Sequence, residues 1–513
     1  MAFASVIEDF QPRNNSYLLS KAEREKPVLK STMVIPKKII SEKESYGKDD
    51  VLCYDFGNHF VGYVTMHIST KGSHPDAPAF LKLCFAEHEQ ELKENSADYR
   101  GWISKGWIQE EWIHIDTFPA VVKLPRRYAF RYMQIEVLDT SQKYKVVFDK
   151  IECEYVNAVG DQKIEPVQQE DELLCKIDKV SIRTLQNCMQ DVFEDGPKRD
   201  RRLWIGDLRL QALTNYKTFK NYQLVKRCLY LFAGSTFPDG RVSANIFTDG
   251  SVEADDTYFY DYALFFVPIL ADYYRETKDQ KVLQDLYDTA KEQIRFGMER
   301  VDQNGIVRDT REDENAYWCF LDWNMDLNKQ TGAQGVLIFC LKRMIELAEA
   351  KKDQTGAAYY TQELERLTDA SKKRLFDEKQ GVFVSGAEKQ ISTMSQAWMI
   401  LAGVFDIEMN RKILKKIKEM GLPYEMLSPY AMHNYCEALI VCGETAEATA
   451  LIKNYWGGMI LEGADTFWEM YNPKNPDESP YGGKIINSHC HAWSCTPSYL
   501  FREYDFTKEA EKK

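Results

Sequence analysis

The sequence predicts a β-sandwich over residues 1–165 followed by an (α/α)6 barrel of helical hairpins over 166–513. Three observations carry this expectation. Residues 50 to 157 alternate apolar and polar positions in short runs, FVGYVTMHIST, AFLKLCFAE, EWIHID and YMQIEVL, set apart by Gly, Pro, Asn and Asp clusters, as strands with one buried face do. From about residue 170 the period lengthens to three and four, as in DELLCKIDKVSIRTLQNCMQDVF and DYALFFVPILADYYRE, which is the spacing of helices. The length of 513 residues exceeds the usual size of one domain, and the change of period places the boundary near 160 to 170.

The helical part reads as pairs joined by short turns: 330–350 with 355–376, 391–404 with 408–419, and 429–442 with 444–460. About eleven or twelve helices fit between 170 and 505, enough for some six hairpins to close into a barrel whose loops form a concave floor at one end. The longest irregular segments, 193–206, 237–257, 303–328 and 461–488, hold a large share of the Trp, Asp, Glu and Gly. Loops rich in acids and aromatics on a rigid scaffold are where binding and chemistry concentrate.

Composition narrows the ligand. A net charge of -13, with no concentrated basic patch, argues against nucleic acid, and 13% aromatic residues suit a cleft lined with flat side chains and a neutral substrate. The N-terminal MAFASVIEDFQPRNNSYLL lacks a basic stretch leading into an unbroken apolar one, and no segment approaches the ~18 apolar residues of a membrane span, so a cytoplasmic protein is expected. The 12 cysteines show no CxxC pairing and read as buried free thiols. His489-Cys490-His491 is the one soft-ligand cluster, but with no acid or cysteine at motif spacing neither metal nor cofactor is expected. The sequence leaves the oligomeric state open, a homodimer included.

Five stretches could carry chemistry. EDGPKRDRRLWIGD, residues 194–207, breaks on Gly196-Pro197 and gathers Glu194, Asp195, Asp200 and Asp207 around Arg199, Arg201 and Arg202, followed by Trp204. Arginines beside carboxylates orient them and lower their pKa, which serves either a polyol site or a structural ion-pair cluster. ADTFWEMYNP sets Glu469 beside Trp468, and NSHCHAWS offers His489 and His491 as donors to a sugar hydroxyl. Asp261 in TYFYDYALFF, and Asp322 with Trp323 in WCFLDWNMD, would be costly to bury unpartnered. Acids and aromatics from several loops at one end of a helical barrel describe a carbohydrate site, and glycoside hydrolysis needs two carboxylates astride the scissile bond.

The order of these parts resembles glycoside hydrolase family 78, the α-L-rhamnosidases of the six-hairpin glycosidase superfamily. The likeness runs from about residue 50 to 503 and includes YDFGNHFVGYVTM and LPRRYAFRYMQIEV, which look like the sandwich preceding that family's barrel. The resemblance implies an exo-acting, inverting glycosidase that releases terminal α-L-rhamnose or a related sugar from small glycosides. It implies further that Asp195 binds sugar hydroxyls and that Glu469 activates the water. Many members read DCPQRDER, with Glu where this chain has Arg201; a second family spacing puts the acid at Asp200 and a further Asp at Asp207. Asp200 is therefore the expected proton donor and Glu194 the alternative. Arg199, Trp204, Asp207, Asp261, Asp322, Trp323, Trp468, His489 and His491 are the expected substrate-binding residues. The competing expectation is a sugar-binding or sensing protein on a barrel that has lost hydrolysis, with a lyase or epimerase as a weaker third.

Overall fold

The computed structural model describes residues 10–167, 171–309, 318–423 and 425–506. Part of the 303–328 loop thus lies outside the described residues.

The sheet of the N-terminal part is antiparallel throughout, and a helix before it, Ser16–Arg24, packs on the barrel helix Tyr222–Gly234. Its organising element is the long strand Val51–Gly72, whose first half pairs with Tyr128–Asp139 and whose second half pairs with Tyr144–Asn157. Register shifts between Asp55 and Phe60, and again between His67 and Ile68, let this strand bend out of one layer and into the other. Ala79–Ala86 and Glu110–Ile115 extend the first layer, and Lys30–Val34 and Ala120–Lys123 extend the second. The predicted alternation is visible in Ala79–Ala86, where Ala79, Leu81, Leu83 and Phe85 point inward. They meet Phe56, Met66, Phe130, Ile135 and Val146 in one apolar core.

Twelve helices follow among the described residues, taking Tyr260–Leu264 and Phe266–Thr277 as one interrupted helix. They sort into two rings by their sequences. Ile205–Lys217, the 260–277 pair, Gln330–Lys351, Thr393–Leu401 and Pro429–Val441 are buried on nearly every side over much of their length, the mark of helices with no solvent face. Each packs on the next, and Pro497–Glu503, with the turn before it, returns the ring to Ile205–Lys217. Around them stand Tyr222–Gly234, Gln280–Met298, Gln354–Arg374, Ile407–Met420 and Thr445–Leu461, most of which bury one stripe. Glu172–Cys188, first in sequence, closes the outer ring against Thr445–Leu461 and Pro497–Glu503. This is an (α/α)6 barrel, and the hairpin pairs expected at 330–376, 391–419 and 429–460 are present. No helix among the described residues is long and apolar enough to cross a membrane.

The sheet-rich part covers the loop end of the barrel. Tyr99 and Ile108 from the sheet side share a small apolar cluster with Tyr481 and Ile486 from the last long barrel loop. The Tyr99 hydroxyl donates to the carbonyl of Tyr481 at 2.9 Å, and the His59 amide donates to Asp465 at 2.7 Å.

Candidate active site

A cavity of about 400 Å³ opens where the barrel loops meet the sheet, a size that suits a small ligand. Asp195, Arg199, Asp200, Trp204 and Asp207 line it from one loop, and Glu469, Tyr481, His491 and Trp493 from the last two.

The 194–207 loop is shaped by its own polar groups. The Asp195 carboxylate accepts the amides of Asp200 (2.9 Å) and Arg202 (3.0 Å), folding the loop around itself. Gly196 is required at the tightest point, since a Cβ there would fall 2.4 Å from the Arg199 carbonyl and 2.5 Å from the Ser488 hydroxyl. The loop ends in the short strand Leu203–Trp204, which pairs with Asn245–Phe247 and through it with Glu253–Ala254. That ribbon brings Trp204, Phe247 and Asp255 to the same wall.

Arg199 is the hub. Its guanidinium forms an ion pair with Glu469, stands 3.4 Å from Asp200 and lies flat 4.0 Å over the Tyr481 ring, while its Nε donates to the Ile486 carbonyl at 3.1 Å. Glu469 also accepts the Tyr481 hydroxyl and sits 4.0 Å from His491 Nδ1. Because one guanidinium spans them, the Asp200 and Glu469 carboxylates lie within about 8 Å of each other, a limit set by two polar contacts and the guanidinium's width. Asp200 keeps 22% of its side chain exposed, so a bound molecule can reach it.

The electrostatics separate the acids. Burial, the charge of Asp200 and that of Asp207 push Asp195 up to about 7, against the favourable pull of His491 and the backbone amide. Burial alone would strip His491 of its proton. The hydrogen bond that His491 Nε2 donates to Asp207 at 2.9 Å and the charges of Glu469, Asp207 and Asp195 overcome it and raise the imidazole to about 9. Burial likewise raises Asp207, with His491 opposing. On the floor His491 thus stands between Asp207 and Glu469, which hold its imidazole above the ordinary value.

Several expected residues point elsewhere. Glu194 is held by Arg127, which donates to both its oxygens at 2.8 Å, and it does not line the cavity. Asp261 accepts the amides of Phe320 (3.0 Å) and Leu321 (3.1 Å), and Asp322 those of Leu427 (3.1 Å) and Ser428 (2.8 Å); both are turned to backbone and away from the cavity. Trp468 packs edge-on against His88, His489 and Tyr471. His489 faces Glu91 at 2.5 Å. His489 and His491 diverge, because the chain bends at His489 and Cys490 and so does not keep the two-residue period of a strand. Glu87, Glu91 and His489 gather ligand atoms within 4.8 Å, but Lys198 supplies the positive charge there, its Nζ 2.8 Å from Glu91. Arg201, at the position where many relatives carry Glu, donates to the carbonyls of Pro197 (2.9 Å) and Arg127 (2.8 Å) and leaves the cavity to Asp200.

The sequence reading missed Tyr481, Trp102, Trp107, Asp255, Trp318 and Trp493, all on the cavity wall. Trp318 and Trp493 lie within WCFLDWNMD and NSHCHAWS, and Tyr481 precedes a Gly-Gly turn; Trp102, Trp107 and Asp255 come from segments far from these in the chain.

Comparison with known proteins places this arrangement. Residues 21–155 match the glycosyl hydrolase family 78 alpha-rhamnosidase N-terminal domain, and residues 163–504 match the bacterial alpha-L-rhamnosidase 6 hairpin glycosidase domain. Among solved structures, a rhamnosidase from Klebsiella oxytoca with rhamnose bound is 43% identical, with a TM-score of 0.92 over 96% of this chain and 99% of its own. A GH78 family rhamnosidase of Bacillus sp. GL1 is 23% identical, with a TM-score of 0.74 over 88% of this chain and 46% of its own. The Streptomyces avermitilis alpha-L-rhamnosidase complexed with L-rhamnose is 15% identical, with a TM-score of 0.67 over 93% and 44%. The last two likenesses speak to the fold. A search of curated protein sequences returned no match. With its sandwich, its six-hairpin barrel and both domain profiles matched, the chain belongs to the bacterial α-L-rhamnosidase family of six-hairpin glycosidases and is a glycoside hydrolase.

Proposed function

We propose that the enzyme removes terminal α-L-rhamnose from small glycosides by single-step inversion, with Asp200 as proton donor and Glu469 as the base that activates water. The observation that carries this reading is the Arg199 guanidinium, which holds Glu469 and approaches Asp200 across one cavity. Inversion calls for two carboxyl groups roughly 6.5–9.5 Å apart, one protonating the glycosidic oxygen while the other takes a proton from water on the opposite ring face. The ~8 Å limit set by the guanidinium admits that spacing.

The remaining cavity groups have natural parts in the same step. His491 stands beside Glu469 and Asp207, 4.0 Å from the Glu469 carboxylate and hydrogen-bonded to Asp207, where it helps place the base. Trp204, Trp323 and Trp493 offer apolar ring faces for the C–H side of a deoxy sugar. The division of the chain at residue 165/166 and a cytoplasmic setting belong to this reading, the latter supported by buried thiols such as Cys228, Cys340 and Cys436. A sensing role was favoured by Arg201 in place of Glu; with Arg201 committed to two carbonyls and Asp200 on the cavity, hydrolysis is the better supported function. A panel of p-nitrophenyl α- and β-glycosides tests it. Release of nitrophenol from the α-L-rhamnoside in preference to other sugars is expected, and sugar binding without release from any member would refute it.

A further inference from the structure

The donor loop is fastened to the sheet-rich part of the chain at two places, neither of them on the cavity wall. At the first, Lys198 reaches into a buried pocket of the sheet side, 2.8 Å from Glu91 and 3.6 Å from Glu87. The same two acids hold the other catalytic loop: Glu91 contacts His489 Nδ1 at 2.5 Å, and Glu87 accepts the His489 amide at 2.7 Å. His59 Nε2, on the long strand, closes the cluster 3.0 Å from Glu87. At the second place, Arg127 grips Glu194 with two 2.8 Å bonds while its carbonyl accepts the Arg201 side chain at 2.8 Å.

These fastenings bracket Asp200. Lys198 lies two residues before it and Arg201 one after, so the backbone that aims the Asp200 carboxyl is tied to the sheet on both sides. Burying two acids, a lysine and two histidines together is costly, and apolar packing would join the two parts of the chain at least as well. What ion pairs add is direction, because charge-assisted hydrogen bonds fix where a loop sits. Proton donation depends on that placement, since a misplacement of about 1 Å costs on the order of 10²-fold in rate.

We propose that Glu91 and Arg127 are positioning residues for proton donation, acting through Lys198 and through the Glu194–Arg201 pair to hold Asp200 against the leaving oxygen. The proposal rests on Asp200 being the donor.

A donor-specific defect has a signature that loss of structure lacks: leaving groups that depart without a proton are spared. kcat/KM is therefore measured on alkyl and on 2,4-dinitrophenyl α-L-rhamnosides for the wild type and for Asp200→Asn, Glu91→Gln and Arg127→Lys. Inhibition by free rhamnose is measured alongside. Asp200→Asn should lose about 10³-fold on the alkyl substrate and far less on the dinitrophenyl one. Glu91→Gln should follow the same pattern at smaller amplitude, about 30-fold against less than about threefold, with rhamnose inhibition unchanged. Arg127→Lys keeps its charge but removes the planar guanidinium whose Nη2 donates to both Glu194 oxygens, and it carries the same expectation if Glu91→Gln does not accumulate folded. Equal losses on both substrates, or no loss, in the two sheet-side variants would overturn the positioning role while leaving the donor intact. Equal losses in Asp200→Asn would remove the donor assignment and the proposal with it.

Discussion

Glu469 and Asp322 are both buried acids next to a tryptophan on barrel loops, and they do opposite things. Asp322 is turned to the backbone of a distant loop, accepting the Leu427 and Ser428 amides and the Ser428 hydroxyl at 2.6 Å, which fixes the start of helix Pro429–Val441. Asp261 does the same for residues 320 and 321. Glu469 is instead held by side chains from other loops, Arg199 and Tyr481, with His491 close by, and its oxygens stay on the cavity wall. Asp261 and Asp322 are spent on architecture away from the cavity, whereas the Glu469 carboxylate, held by side chains, faces it. The two kinds cooperate, because the backbone that Asp261 and Asp322 hold carries Phe320 and Trp323 to the cavity.

This contrast is broken most sharply at Glu469. Glu469→Gln should lower kcat by about 10³-fold or more while the urea midpoint stays near that of the wild type, as read by steady-state kinetics beside equilibrium unfolding. Asp322→Ala should show the reverse. It leaves two buried amides and a hydroxyl without their acceptor, a cost of about 3 kcal/mol in unfolding free energy, with kcat per folded molecule within a few-fold of wild type. A large kinetic loss in a stable Asp322→Ala protein would erase the distinction. The smallest effect concerns His491. Since its folded pKa of about 9 lies above the ordinary imidazole value of 6.5, its stabilisation is complete below pH 6.5 and is lost as the pH climbs through 9. The unfolding free energy of the wild type should fall across that window, and in His491→Gln the fall should flatten.

Periodicity made the sandwich and the hairpins legible, because it reports which face of a regular element is buried. Loops carry no such period. Glu194 and Asp195 are adjacent, and nothing in EDGPKRD says that one meets Arg127 on the sheet while the other meets the amides of its own loop. Trp468 and Glu469 part in the same way, the ring packing on His88 and His489 and the carboxylate facing Arg199. Tyr481 and Trp102 were hidden for another reason. Their rings lie 5.5 Å apart on one wall although they are separated by most of the chain, and only the docking of the sheet on the barrel brings them together. Asp195, Asp200, Asp207 and Glu469 were legible as candidates in their own stretches, and the resemblance added expected roles; all four line the cavity, and the variants above test Asp200 and Glu469.

The pairing of Asp200 with Glu469 around one water is tested most directly by the first sugar released. Proton NMR of an α-L-rhamnoside during the opening minutes of turnover should show β-L-rhamnose first, with the α anomer growing in only by mutarotation. Appearance of the α anomer first would mean a covalent intermediate and two displacements, and would contradict the account.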